Sequence, residues 1–329
     1  MMKIDNERKM FTSNLILQSL KIKAFRKLLI GMAESRMKKY IAASDYPFLP
    51  EMVSYKAFTA FKNLLESIES NYEKGNISFG YIKNFIRTLA LSSHTLPNES
   101  RSFKVRYGFD PPMFVLLSPT TVCNLNCAGC YADCDQKKRA TLDFDICKRI
   151  LKEKQAPWGS YFTVISGGEP FMYHDNGKTI FDLFEAFPDN LFLVYTNGSL
   201  INEKTAERLA RTGNVTPAIS VEGFEKETDE RRGKGMHRKI LNAMEHLRNA
   251  GVMFGLSVTL TSKNSDLFIS DFDRFCEYYM DEQGAVFAWL FQYMPIGRDH
   301  DSFALLVPPE KRKALWEKYL VHERKKLKN

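Results

Sequence analysis

The chain has 329 residues, 44% hydrophobic and 26% charged, a balance that suits a globular protein with one large domain and a smaller one. No run of about eighteen apolar residues occurs, and the N-terminal M-M-K-I-D-N-E-R-K-M offers neither an apolar segment nor a small-residue cleavage site, so no membrane span and no secretory signal are expected. The net charge of +8 gathers at the two ends: residues 1–40 carry ten Lys or Arg against three Asp or Glu, residues 310–329 carry eight against three, and the stretch between is slightly acidic. Basic ends can meet nucleic acid or anionic lipid, but such residues more commonly solvate helix faces, and no nucleic-acid partner is expected.

From Asn14 to about Leu91 the apolar residues recur at spacings of three and four (Leu15, Leu17, Leu20, Phe25, Leu28, Leu29, then Phe58, Phe61, Leu64, Leu65, Ile68), which predicts helices. The Tyr46-Pro47-Phe48-Leu49-Pro50 stretch reads as a break between them. Leu15–Ile41 reads as a basic amphipathic helix that either packs against its own protein or lies on a membrane surface. Residues 1–92 are therefore expected to form a helical N-terminal region, and 93–112, rich in Ser, Pro and Asn, a linker.

From Met113 the rhythm changes. Short apolar or β-branched runs at Met113–Ser118, Tyr161–Ser166, Leu191–Tyr195, Val215–Val221, Val252–Thr259 and Ala285–Tyr293 alternate with helix candidates near 143–154, 179–187, 202–212, 238–250, 270–283 and 309–326. Six strand-then-helix units predict an α/β fold: a parallel sheet wrapped by helices and curled by right-handed crossovers into a partial (βα)6 TIM-like barrel over residues 113–329. Active residues then belong at the C-terminal ends of the strands.

Two motifs fall there. After the first strand come Cys123, Cys127 and Cys130, a C-x3-C-x2-C triplet followed by Tyr131. Three thiolates are one fewer than close a structural zinc or iron–sulfur site, and leave an iron with an open position. Cys134 can supply a fourth ligand for a zinc or electron-transfer centre, touch substrate, or stand by. Cys147 and Cys276 fall inside helix candidates and read as packing residues. Four of six cysteines within twelve residues fit a metal centre in a reducing cytoplasm better than a disulfide framework. After the second strand comes Ser166-Gly167-Gly168-Glu169-Pro170, whose paired glycines let backbone approach a ligand and whose carbonyls and carboxylate suit an ammonium group.

Together C-N-L-N-C-A-G-C-Y and G-G-E-P resemble the hallmarks of the radical S-adenosylmethionine (radical SAM) superfamily, over Met113 to about Lys326. The pattern from Ser220 to Gly233 is most similar to the SPASM/twitch-type members that modify peptides or proteins. The resemblance implies that Cys123, Cys127 and Cys130 hold a [4Fe-4S] cluster and that S-adenosyl-L-methionine chelates the fourth iron. It also implies that Tyr131 sits beside the cluster and adenine, and that Gly167, Gly168 and Glu169 hold the amino group. Thr196-Asn197-Gly198 resembles the family's T-N-G turn, and Ser220-Val221-Glu222-Gly223 its S-x-D-G, with Glu222 in place of the commoner Asp. Ser220 and Glu222 would bond ribose or carboxylate, and Arg231 or Arg232 the carboxylate, while Val258-Thr259 and Met294-Pro295-Ile296 would flank the adenosine or serve as core and turn.

By the same resemblance, a reduced cluster cleaves the S–C5′ bond and the resulting 5′-deoxyadenosyl radical abstracts a substrate hydrogen. Amides of Asn124 and Asn126 would tune the cluster. The expected substrate is a peptide or protein, with a small molecule of a cofactor pathway as the alternative, and the expected electron donor is a ferredoxin or flavodoxin. No cysteine follows Cys276, so a C-terminal domain with further clusters is not expected within this chain, which reads as a fragment or as a core that acts alone. A non-catalytic four-cysteine module is the reading from another class.

Overall fold

The computed structural model describes residues 17–43, 51–134, 137, 140–298 and 303–326. Three helices come first: α1 (Lys23–Ala43), α2 (Glu51–Glu73) and α3 (Phe79–Tyr107). Arg26 fastens α1 to α2. Its buried guanidinium meets Glu69 at 2.8 and 3.1 Å, also contacts Glu73, and donates to the carbonyls of Leu20 and Lys21 in the turn ahead of α1. That turn interrupts the single helix expected over Leu15–Ile41, and the apolar stripe divides: Leu17 and Leu20 are buried while Leu28 and Met32 are exposed. The Tyr46–Pro50 break lies outside the described residues.

The linker expected over 93–112 is helical to Tyr107, and the boundary at residue 92 falls inside α3. Pro97 withholds only one backbone N–H, and the ends of the helix are well finished. The Ser78 hydroxyl accepts from the Tyr81 amide, Gly108 closes the other end in the left-handed conformation at φ 81°, and Lys104 and Arg106 occupy the last turn, where cations are favoured. Tyr81, fully buried, donates to the Val215 carbonyl at 2.7 Å and so anchors α3 on the sheet.

Six strands follow in one parallel sheet whose spatial order is their order in the chain: β1 (Val115–Leu117), β2 (Phe162–Ile165), β5 (Leu191–Thr196), β6 (Val215–Ser220), β7 (Gly255–Leu260) and β8 (Ala288–Gln292). A two-residue antiparallel pair, β3 (His174–Asp175) with β4 (Lys178–Thr179), lies between β2 and β5 in sequence. The sheet curls into a half-barrel, and β1 and β8 are its two open edges. The helices on its outside are α4 (Phe144–Trp158), α5 (Ile180–Ala186), α6 (Glu203–Thr212), α7 (Glu225–Arg232), α8 (Met236–Asn249), α9 (Ser265–Ser270), α10 (Phe272–Cys276) and α11 (Pro309–Lys326).

All six strands and the partial barrel agree with the sequence reading, and the helices differ in two places. After β6 there are two helices rather than one, because α7 (E-K-E-T-D-E-R-R) has no apolar period to betray it. The helix expected at 270–283 is α9, α10 and a π-helical turn, Glu277–Glu282.

Alternation along the strands sorts the side chains. Phe192, Val194, Ile219, Leu256 and Val258 face the helices and pack with Leu151, Leu183, Leu209, Ile240 and Phe268, each burial contributing about 1.5–3 kcal/mol. Val164, Leu193 and Ala218 form a smaller cluster on the other face. Cys147 is buried in the main core as expected, and Cys276 packs against its edge.

Candidate active site at the strand ends

The cysteine loop leaves the end of β1, which places it at the C-terminal rim. Its base is clasped to the segment before α4: Thr121 donates to Ala140 and Leu142 to Pro119, at 2.8 and 2.9 Å. Cys123, Cys127 and Cys130 are half-buried and Cys134 is buried. Backbone N–H groups face their sulfurs, that of Leu125 toward Cys123 and those of Ala132 and Cys134 toward Cys130. These are not the Asn124 and Asn126 amides expected from sequence. Amides aimed at sulfur favour thiolate and tune a bound cluster.

The Cys134 thiol contacts Cys130 and donates to the Ala132 carbonyl at 3.4 Å. The Cys134 thiol against it, with the amides and Arg298 nearby, holds the Cys130 thiol well below its ordinary range. Burial pushes the Cys123 thiol up to about 11. Among the described residues no three Cys, His, Asp or Glu side chains converge tightly enough for a single metal ion. The donor set, three thiols spread along one loop with amides turned to sulfur, fits a multi-iron cluster.

Gly167 and Gly168 approach the chain itself rather than open space. The Gly168 amide donates to Thr120 and the Glu169 amide to Val122, both at 2.8 Å, so the G-G-E-P turn lies directly on the base of the cysteine loop. A Cβ on Gly168 would stand 2.2 Å from the Val122 carbonyl oxygen, and one on Gly167, at φ 103°, 2.7 Å from that of Thr120. Only glycine fits this contact.

Glu169 turns inward, 1% exposed. Its Oε1 accepts from the Thr196 hydroxyl at 2.7 Å and the Phe171 amide at 3.3 Å, and its Oε2 from the Asn197 amide at 2.8 Å. Burial pushes its carboxyl up to about 7, against the pull of these donors. The carboxylate thus fastens the end of β2 to the turn after β5. Asn197 completes the link to the cysteines: its Nδ2 donates to Asn124 Oδ1 at 2.8 Å and lies 3.9 Å from Cys123 Sγ.

Glu222, at the end of β6 and also 1% exposed, has charged partners. Arg231 and Arg232 both donate to its Oε1, at 2.5 to 2.9 Å, and the Thr259 amide donates to Oε2 at 3.1 Å. Burial works against the Arg232 charge, but Glu222 beside it prevails and the guanidinium is held more firmly protonated than usual. Arg231 reaches on to the cysteine loop, donating to Ala128 and Gly129 carbonyls at 3.1 and 3.4 Å. Ser220 lies in register with Ser257 of β7, which in turn pairs with Trp289 of β8. The Tyr131 hydroxyl, at the exit of the cysteine loop, pairs with Ser166 at 2.7 Å.

The rim therefore gathers Tyr131, Gly167, Gly168, Glu169, Asn197, Glu222 and Arg232 around the cysteine loop. Val258 faces the core instead, fully buried, while Met294 and Ile296 are exposed. Sequence reasoning missed Arg298, which donates to the carbonyls of Cys127 and Cys134 at 2.7 and 2.6 Å and through its amide to Cys130 at 2.9 Å. Its targets are backbone carbonyls, which leave no signature in a sequence. Its place two residues past Met294-Pro295-Ile296 was the available pointer.

The Radical SAM superfamily model matches residues 117–267. The AdoMet-dependent heme synthase of Methanosarcina barkeri is 29% identical over 196 residues, covering 58% of this chain and 53% of that protein. The mycofactocin maturase MftC of Mycolicibacterium smegmatis is 30% identical over 161 residues, covering 48% and 40%. The chain thus spans about half the length of the curated relatives it matches. The solved structure of native anSMEcpe with bound AdoMet and Cp18Cys peptide superposes with a TM-score of 0.51 at 18% identity, covering 65% of this chain and 62% of that one, a likeness of fold.

Proposed function

We propose that this chain, whose residues 117–267 match the Radical SAM superfamily model, holds the catalytic core of an enzyme that cleaves S-adenosyl-L-methionine reductively to start radical chemistry on a substrate. The observation that carries the reading is the cysteine loop: three half-buried thiols, with N–H groups aimed at the sulfurs of Cys123 and Cys130, at the C-terminal rim of a half-barrel. In it Cys123, Cys127 and Cys130 hold a [4Fe-4S] cluster. When bound, that cluster supplies the electron that splits S-adenosylmethionine into methionine and a 5′-deoxyadenosyl radical.

The chain's own residues orient and shield. Glu169 ties the end of β2 to the Thr196–Asn197 turn, while the Thr120–Val122 backbone seats Gly168 and Glu169, and backbone carbonyls of this turn serve as acceptors for the ammonium of S-adenosylmethionine. Arg232 and the Ser220 hydroxyl receive its carboxylate, Glu222 accepts from its ribose, and Tyr131 borders the adenine. A low-potential ferredoxin or flavodoxin delivers the electron, and the enzyme works in the cytoplasm. Among the described residues no helix is long and apolar enough to cross a membrane.

The substrate is a peptide or protein, as the maturase relative suggests. On the concave face Leu116 pairs in register with Val164, Trp289 with Ser257 and Phe291 with Thr259, and the Tyr195 and Phe291 rings meet at 5.6 Å. Leu116, Trp289 and Phe291 are exposed, so an apolar side chain is the part of the substrate that enters. The haem synthase relative favours a tetrapyrrole as the second reading.

Anaerobic incubation of iron-loaded protein with S-adenosylmethionine and dithionite tests the activity. 5′-Deoxyadenosine is the expected product, absent from Cys127→Ala. Loaded protein that yields none with dithionite or a reduced ferredoxin overturns the proposal. Product raised above the uncoupled rate by a peptide, or instead by a tetrapyrrole, decides the substrate class.

A further inference from the structure

β1 and β8 do not pair, so the half-barrel is open between them, yet their C-terminal loops meet at the rim. The meeting point is Gly297-Arg298, after β8, against residues 127–134, after β1. Arg298 turns its amide and both terminal guanidinium nitrogens to that loop. Its amide reaches the Cys130 carbonyl, Nη1 that of Cys127 and Nη2 that of Cys134, while Nε lies 3.6 Å from the Asp133 carboxylate. Gly297, at φ 71°, lets the two backbones touch, since a Cβ there would stand 2.2 Å from the Tyr131 carbonyl oxygen and 2.5 Å from that of Cys130. The segment so gripped is tightly wound: Asp133 adopts φ 48°, and its amide turns back to Cys130 at 3.1 Å. The Ala132 and Cys134 amides that face the Cys130 sulfur belong to the same winding.

We propose that Arg298 is a positioning residue for the cluster loop: by taking three cysteine carbonyls on one planar fork and its own amide, it holds the 127–134 turn in the shape that aims N–H groups at sulfur, and so ties the last strand of the barrel to the cluster. The inference rests on the cluster reading above. A fork of fixed geometry serves here where a lysine ammonium cannot, because the two guanidinium nitrogens must reach two carbonyls seven residues apart. Removing it frees the turn, weakens N–H···S bonding and takes a positive charge from beside the site. Both changes lower the reduction potential and loosen the iron.

The experiment uses the full chain, reconstituted anaerobically, as wild type, Arg298→Lys, Arg298→Gln and Gly297→Ala. Two readouts are taken: the midpoint potential from an EPR-monitored titration and the rate of iron release to a chelator. Melting of each iron-free protein checks the fold. Both Arg298 variants are expected to release iron roughly 10–100-fold faster than wild type and to show more negative potentials, with the lysine variant, which keeps the charge, lying between wild type and the glutamine variant in potential. Gly297→Ala, which keeps the charge and breaks the contact, is expected to follow them. If the lysine variant and Gly297→Ala both match wild type, the charge alone matters and the positioning role is overturned. The same holds if all three variants match it. A wild-type protein that builds no cluster at all overturns the proposed function instead, and is seen before any variant is compared.

Discussion

The ends of β2 and β6 each carry one buried glutamate, Glu169 and Glu222, each 1% exposed, and the two are satisfied in opposite ways. Glu169 is held by neutral donors, two amides and a hydroxyl. Glu222 is held by two guanidinium groups and one amide. The first arrangement fixes the shape of the rim without importing charge. The second brings two cations to one anion and leaves a net positive charge beside the cysteine loop, where a thiolate-bound cluster and a carboxylate would bring negative charge. In the same half-barrel, one carboxylate is a bracket and the other is a charge organiser.

Glu222→Gln separates them most sharply. Losing that charge strands Arg231 and Arg232 against each other in a buried place, at a cost of about 3–5 kcal/mol in urea unfolding of the iron-free protein. An effect under about 1 kcal/mol breaks the comparison. Glu169→Gln should cost less, about 1–3 kcal/mol, because a carboxamide turns one donor toward the donors that Glu169 now accepts from.

This second variant also has a pH signature. The carboxyl of Glu169 sits at about 7 in the folded chain against an ordinary 4.5, so the folded state holds this proton more tightly than the unfolded state. Its contribution to stability is full below about pH 4.5 and is lost as pH rises through about 7. The stability of wild type relative to Glu169→Gln, measured across that window, therefore falls with rising pH, and a rise contradicts the account. Thr196→Val, which removes the hydroxyl between Glu169 and the Gly198 amide, is the smallest step, about 1 kcal/mol in the same assay.

Much of this was legible in the sequence because it is written in period and spacing. The six strands announce themselves as β-branched and apolar runs, and the cysteines and the paired glycines fall at the strand ends that a βα reading predicts. The role of the glycines was half legible: the close approach is real, but its partner is the Thr120–Val122 backbone. What stayed hidden depends on contacts between distant backbones. Arg298 grips carbonyls more than 160 residues away in the chain. The helix through 93–107 was hidden for another reason: a composition rich in Ser, Pro and Asn over 93–112 signalled a linker, and the finished ends of α3 outweighed it. The charged octet of α7 carries Arg231 and Arg232 to Glu222 with no apolar pattern to mark it.

The central claim is that three cysteines, and not four, hold a cluster with one iron left for S-adenosylmethionine. Cys134 tests it, since its buried thiol touches Cys130 and its own loop carbonyl. In Cys134→Ala, reconstituted anaerobically and reduced, the EPR signal of a [4Fe-4S] cluster should persist and change shape when S-adenosylmethionine is added. A cluster lost with Cys134, or a spectrum indifferent to S-adenosylmethionine, would contradict the account.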